Sequence, residues 1–512
     1  MKSKLTPILT IFLLSLHLSH CASTSTQRPT QTVVTSPDTV LSVSFLHWND
    51  QHSANLPYVS HWGYTKGQMI GGYATLAGYI DSLKRIYPEA VVLNAGDDFQ
   101  GSPISALTKG MSQIRILNEI KPDAFTIGNH EFDYGMENLR RAVNAAYFAV
   151  LSCNIFDSTR MALFTEPYKI VQSEGLRIGI IGGIMENLKS TVLPANMEKI
   201  AILDLSESIM KYVVEIQDKT DLIVVLSHNG FREDSLLATQ LSEVDVIFGG
   251  HSHTRLKQPV PVNNILICQA GAQGQFLGHL RAVVAPQSRR IIRHEYELIE
   301  TVVKDITPSA AVAHIVDSLE TAIAAEMNRV IGELKTDWVR SSRGESNIGN
   351  WIADVTRHHF SADIAFQNSG GIRKGLRAGP IRVRDIWEIA PFDNTIVLVT
   401  VTGEQLLQIL NWRINNPRDL LQQSGIRRVC DMVSKTLIAA SVNGQPIDPQ
   451  REYVIATNNY IIGHIERFFG LSAEDVKIRD TGIIGRDVLI KAVETQPLID
   501  SRIDGRLIIR NR

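Results

Sequence analysis

Short apolar, β-branched runs recur through the first half of the chain, and each ends in a polar cluster. Val43–Leu46 precedes Asp50-Gln51-His52, and Ala90-Val91-Val92-Leu93 precedes Gly96-Asp97. Leu222–Leu226 precedes His228, and Val246-Ile247-Phe248 precedes Gly250-His251-Ser252-His253. Runs of this length and composition read as buried strands. Between them, Tyr73–Arg85 and Ser112–Glu119 carry a helical pattern. The alternation predicts an α/β architecture, in which sites form just beyond strand ends. Thr307–Val330 is alanine-rich and amphipathic and reads as a helix. Further strands are expected near Ile396–Val401 and Val454–Thr457.

A chain of 512 residues is too long for one core, so two domains are expected. The pattern sets them at 41–299 and 331–512, with residues 300–330 as a joining helix. At the N-terminus, Lys2 and Lys4 precede the apolar stretch Ile8–Leu18, which suits a signal-peptide core better than a membrane span. Leu18-Ser19-His20-Cys21 has the form of a lipobox, although His20 departs from the usual small residue. Residues 1–21 are therefore read as a lipoprotein-type signal peptide whose Cys21 becomes the acylated mature N-terminus, with ordinary cleavage nearby as the alternative. Residues 22–40, rich in Ser, Thr and Pro, read as a tether. This pattern predicts an exported protein, periplasmic or on the cell surface, touching the membrane only through its lipid. Cys153, Cys268 and Cys430 remain, an odd number that implies no disulfide framework.

Charge narrows the partners. Lys plus Arg total 51 against 53 Asp plus Glu, so no broad basic field recruits nucleic acid. Attraction of phosphate has to be local.

The most informative segment is Gly128-Asn129-His130-Glu131-Phe132-Asp133. Asn129 can offer a carbonyl oxygen to a metal, His130 can meet phosphoryl oxygens, and Asp133 can orient His130. Any one histidine here, taken alone, suits a core or surface role. Five Asp-, Asn- or His-bearing clusters at strand ends point instead to one assembled site. Oxygen and imidazole donors without cysteine suit Mn, Zn, Fe or Co. Two such ions sharing a carboxylate can activate water and hold both ends of a displacement at phosphorus. Asp97 is the best bridging candidate, because Gly96 lets the backbone approach closely.

Through Asn49–His52, Gly96–Ser102, Gly128–Gly135, Ser227–Gly230 and Gly249–His253, the chain resembles the secreted 5'-nucleotidases and UDP-sugar hydrolases. These are calcineurin-like metallophosphatases with a dedicated C-terminal domain. The resemblance implies an N-terminal four-layer αββα metallophosphoesterase domain and a C-terminal α/β 5'-nucleotidase domain. It implies Asp50, His52, Asp97 and His253 around one divalent metal, and Asp97, Asn129, His228 and His251 around a second. It makes His130 the catalytic stabiliser and Asp133 its orienting partner. Glu345–Asp354 resembles the opening helix of the family's second domain, and Asn368-Ser369-Gly370-Gly371-Ile372-Arg373 its substrate loop. There Asn368, Gly370, Gly371 and Arg373 would meet a nucleotide or other phosphomonoester.

The implied activity is hydrolysis of extracytoplasmic nucleotides, possibly including UDP-sugars. A 2',3'-cyclic phosphodiesterase/3'-nucleotidase, whose branch tends to carry Asn where Asp133 stands, and a non-catalytic nucleotide-binding lipoprotein are the alternatives. One departure stands out. Gly463–Gly470 replaces the family's Gly-Gly-Asp-Gly-aromatic segment, and Leu420 occupies the position assigned to the other stacking aromatic. The expectation is a relaxed phosphatase in which Phe468 or Phe469 substitutes for one face of the base clamp.

Overall fold

The computed structural model describes residues 41–60, 63, 65–285 and 287–511. The expected signal peptide and tether lie outside them. Among the described residues, no helix is long and apolar enough to cross a membrane.

Two six-stranded mixed sheets form the centre of the first half. One runs in the order Arg290–Glu300, Phe276–Ala285, Leu41–Trp48, Val91–Asn94, Ala124–Thr126, Ala149–Leu151. Its last four strands are mutually parallel. The other runs Val260–Val262, Ile265–Cys268, Val246–Gly249, Leu222–His228, Leu176–Ile184, Tyr168–Ser173, with antiparallel strands at its two edges. Alternation of side chains explains the layering. Val43, Phe45, Val91 and Leu93 meet Ile178, Val224, Leu226 and Phe248 between the sheets. The intervening residues Leu46, Trp48 and Val92 face outward onto the helices Tyr73–Ile86, Met111–Ile120 and Ala310–Met327. Ile181, Ile223, Val225 and Ile247 face the helices Leu205–Ile216 and Phe231–Ala238. The result is a four-layer αββα sandwich.

The expected joining helix occupies Ala310–Met327 and stops before a strand that begins at Val330, so its last three expected residues are not helical. Val312 and Val316 belong to the first domain's core, whereas Met327 packs with Ile331, Trp338 and Ile348 beyond it. The second half centres on a five-stranded sheet ordered Leu421–Ser424, Ile364–Asn368, Glu452–Asn458, Thr395–Thr402, Lys477–Ile484. Helix Gly403–Asn415 covers one face through Leu406, Ile409 and Leu410.

Candidate metal centre and substrate cleft

All the expected ligands emerge at the carboxyl ends of parallel strands. Asp50 and His52 follow Leu41–Trp48, Asp97 follows Val91–Asn94, and Asn129 follows Ala124–Thr126. His228 ends Leu222–His228, and His251 and His253 follow Val246–Gly249. The chain must turn sharply there to aim side chains back over the sheet edge. Asp50, His52, Asp97, His251 and His253 accordingly hold φ values of 51°, 47°, 62°, 70° and 53°. Non-glycine residues adopt this backbone at a cost, and such strain clusters at functional sites. At Gly96 the φ is 85°, and an added Cβ would lie 2.7 Å from Thr126 O and 2.8 Å from Gly128 N. Only glycine fits.

Three ligand-type groups converge: Asp50, His52 and His253; His52, Asp97 and His130; Asp97, His228 and His251. His253 Nε2 lies 2.9 Å from His52 Nε2 and 3.3 Å from Asp50 Oδ1. His251 Nδ1 and Asn129 Oδ1 meet at 2.9 Å. His228 Nδ1 donates to Ala95 O at 2.6 Å, which fixes its tautomer. Its Nε2 is buried without a hydrogen-bond partner, 3.2 Å from Asp97 Oδ2. Burial opposes the imidazolium form of His228, but Asp97 and Asp50 overcome this and push its pKa up to about 10. Surroundings that draw a proton this strongly also favour a metal cation. Asp97 itself is held well below the usual carboxylate range, because His228 and His130 outweigh the penalty of burial.

His130 presents Nδ1 to Asp133 Oδ2 at 2.8 Å, and its backbone N–H donates to Asp97 Oδ1 at 2.8 Å. Burial lowers its pKa, yet Asp133 and Asp97 raise it further, so the net shift is upward. Asn196 Nδ2 donates to Asp133 O at 2.7 Å and steadies the pair.

Glu131 carries a role that the sequence did not disclose. Its carboxylate accepts from the backbone N–H groups of Asp97 (2.9 Å), Asp98 (2.7 Å) and Gly128 (2.7 Å), stitching two ligand loops together. Asn49 does the same elsewhere, donating to Asp50 Oδ2 (2.5 Å) and Gly271 O (2.6 Å). Such roles leave little spacing signal, because Asp97 N, Asp98 N and Gly271 O belong to residues distant in sequence from the side chains that bind them.

The expected substrate loop of the second domain reaches this centre. Arg373 lines a cleft of about 780 Å³ together with His52 and His253. Burial lowers the Arg373 pKa, while Asp97, Asp133 and Asp50 oppose that shift. Asn368 is buried, with Oδ1 accepting from Asn458 Nδ2 at 3.0 Å. A Cβ on Gly370 would make only ordinary contacts, 3.7 Å from Asp419 Oδ1 and 3.9 Å from Asn368 Nδ2, whereas a Cβ on Gly371 would lie 2.7 Å from Gln367 Nε2.

The expected base clamp is corrected. Phe468 and Phe469 are fully buried in the second domain's core, alongside Leu406, Leu410 and Ile461. Arg413 and Arg467 cover the Phe468 ring, and Phe366 meets Phe469 edge-on. Neither ring offers a free face, because the apolar pattern of Ile465–Phe469 folds it as a short core helix. Phe392 is an aromatic that does reach the centre. Its half-buried ring lies 5.9 Å from the His130 ring at 25° and 5.9 Å from the Arg373 guanidinium. A Pro-Phe turn just before a strand was its only sequence signal.

The Gly463–Gly470 segment docks on the first domain instead. Tyr460 Oη donates to Ser190 O (3.2 Å), His464 Nε2 meets Lys189 O (2.8 Å), and Arg467 also donates to Ser190 O.

The αββα fold and its cluster of carboxylates and imidazoles define a metal-dependent phosphoester hydrolase. Residues 43–255 match the calcineurin-like phosphoesterases and residues 330–471 the 5'-nucleotidase C-terminal domain. The chain thus joins a calcineurin-like phosphoesterase domain to a 5'-nucleotidase C-terminal domain.

Its similarity to the 5'-nucleotidase precursor of Thermus thermophilus covers 92% of this chain and 100% of that one, with a TM-score of 0.84 and 28% identity. The apyrase of Tabanus yao is 26% identical over 91% of this chain and 93% of its own length. The endonuclease YhcR of Bacillus subtilis is 27% identical over 88% of this chain, which spans only 38% of that protein.

Proposed function

We propose that this protein is an extracytoplasmic nucleotidase that hydrolyses the phosphomonoester of nucleoside 5'-monophosphates. Two divalent ions would be held by Asp50, His52, Asp97 and His253, and by Asp97, Asn129, His228 and His251. The orphaned Nε2 of His228 and the mixed oxygen and imidazole donors fit such ions. When bound, they polarise the phosphoryl group and lower the pKa of attacking water.

The observation that carries the reading is the convergence of Arg373 and Phe392 on His130 and Asp97. Arg373 offers a planar fork to phosphate, and Phe392 offers an aromatic face to a base. His130, with Nδ1 committed to Asp133, leaves Nε2 to meet an oxygen that gains negative charge as the ester bond breaks. The cleft extends past Arg373 to Arg340 and Lys374, leaving room for the larger UDP-sugars. Export rests on the N-terminal apolar stretch and Cys21.

The test assays purified protein against AMP, UDP-glucose, 2',3'-cyclic AMP and p-nitrophenyl phosphate with Mn, Zn, Co and Mg. AMP is expected to be the best of these. A clear preference for the cyclic nucleotide, or no turnover of any, refutes the proposal.

A further inference from the structure

Arg486 lies at the start of helix Gly485–Thr495, beyond the residues matched to the C-terminal domain, and is 4% exposed. It does not touch the substrate cleft. Its Nη1 donates to Pro391 O at 3.1 Å and lies 3.5 Å from both Ala390 O and Phe392 O. Its Nη2 donates to Asp393 Oδ1 at 2.6 Å. The guanidinium also stacks on Trp387, 3.5 Å from the ring centre. One buried cation thus addresses the carbonyls of the two residues before Phe392 and of Phe392 itself, and the carboxylate just after it.

Close packing does not supply that support. A cavity of about 40 Å³ lies beneath the turn, lined by Phe392, Arg486, Gln367 and Asn458 among others. That is room for more than one water molecule, so the turn lacks full van der Waals contact on this side. A loop backed by a void needs a directional anchor to hold a ring in one place. A planar fork with five donors and a stackable face can meet three carbonyls, a carboxylate and an indole at once, whereas a lysine cannot.

We infer that Arg486 is a positioning residue for base selectivity, fixing the Phe392 ring where it meets the substrate. The inference rests on the nucleotidase reading above, in which Phe392 stacks on the base. Because Arg486 acts through Phe392, its effect falls on the base and is absent once the ring is removed.

The test compares kcat/KM for AMP with that for ribose 5-phosphate, which lacks the base, in a double-mutant cycle. Phe392→Ala is expected to lower the AMP preference roughly ten- to a hundredfold. Arg486→Lys is expected to lower it at least about fivefold, with the change carried by the KM for AMP. The double variant is expected to match Phe392→Ala alone. Asp393→Asn removes the half-exposed anchor of the guanidinium and is expected to shift the ratio in the same direction should Arg486→Lys fail to fold.

If Phe392→Ala lowers the preference but Arg486→Lys and Asp393→Asn leave it within twofold of wild type, the positioning role is overturned and the stacking reading stands. Equal losses for both substrates mean a merely structural role, and multiplicative effects in the double variant mean independent action; each overturns the inference. No change in Phe392→Ala overturns the stacking reading and this inference together.

Discussion

Replacing Asp97 with Asn keeps the shape of the side chain and removes one negative charge from the middle of the site. Asp97 is 1% exposed, its Oδ2 lies 3.2 Å from His228 Nε2, and its Oδ1 accepts from His130 N at 2.8 Å. At that separation and an effective dielectric constant of about 20, one unit charge interacts with another by ~5 kcal/mol. The amide dipole returns part of this, and breaking a buried charge pair typically costs about 3–5 kcal/mol. Each shared cation therefore binds roughly 10²–10⁴-fold more weakly in Asp97→Asn. Because the residue faces both ligand groups, the two metal equivalents are lost together, and kcat/KM falls by several orders of magnitude. Metal content by mass spectrometry after gel filtration, measured beside AMP turnover, is the assay. Two retained equivalents with near wild-type turnover refute the bridging role.

Further outcomes follow from the same geometry. His130→Ala is expected to keep its metal and lose roughly 10²–10⁴ in turnover, because Asp133 orients His130 toward the reacting phosphoryl group; loss of the metal instead makes His130 a ligand. Gly128→Ala drives a Cβ against the Asp97 carboxylate and to 2.7 Å from Asp97 N, so it is expected to cost about 1–3 kcal/mol of stability by thermal melting and to weaken metal binding; an unchanged Tm contradicts this. Glu131→Gln is expected to lower metal affinity without touching a metal, since its carboxylate ties the Asp97 and Gly128 loops, and unaltered affinity would dismiss that role. Cys21→Ser is expected to release the protein from membranes or leave it unprocessed; a wild-type protein without lipid removes the acylation reading while leaving export intact.

The strand runs and the clustering of polar residues at their ends were legible because two signals coincided in sequence. A short continuous apolar, β-branched run names a buried strand, and a polar residue just past its end has one place to go. The Gly96-Asp97 pair shows this, since the glycine's tight backbone and the aspartate's placement arise from the same turn. The aromatic proposed to face the base was not legible. Phe468, Phe469 and Phe392 have the same side chain, and burial alone separates them: the first two lie on the inward face of a core helix, the third on a turn held away from the core. Glu131, Asn49 and Arg486 escaped for another reason. Each bonds backbone groups brought near only by the tertiary fold, so no local pattern marks them.

On the proposed reading, a metal-bound centre in this protein removes phosphate from nucleotides. Protein stripped with a chelator and then titrated with Mn²⁺, with phosphate release from AMP and bound metal measured in parallel, tests it most directly. No turnover is expected in the stripped protein, with recovery that saturates at two bound equivalents. Full turnover without metal, or two bound equivalents with no release of phosphate from AMP, would contradict that reading.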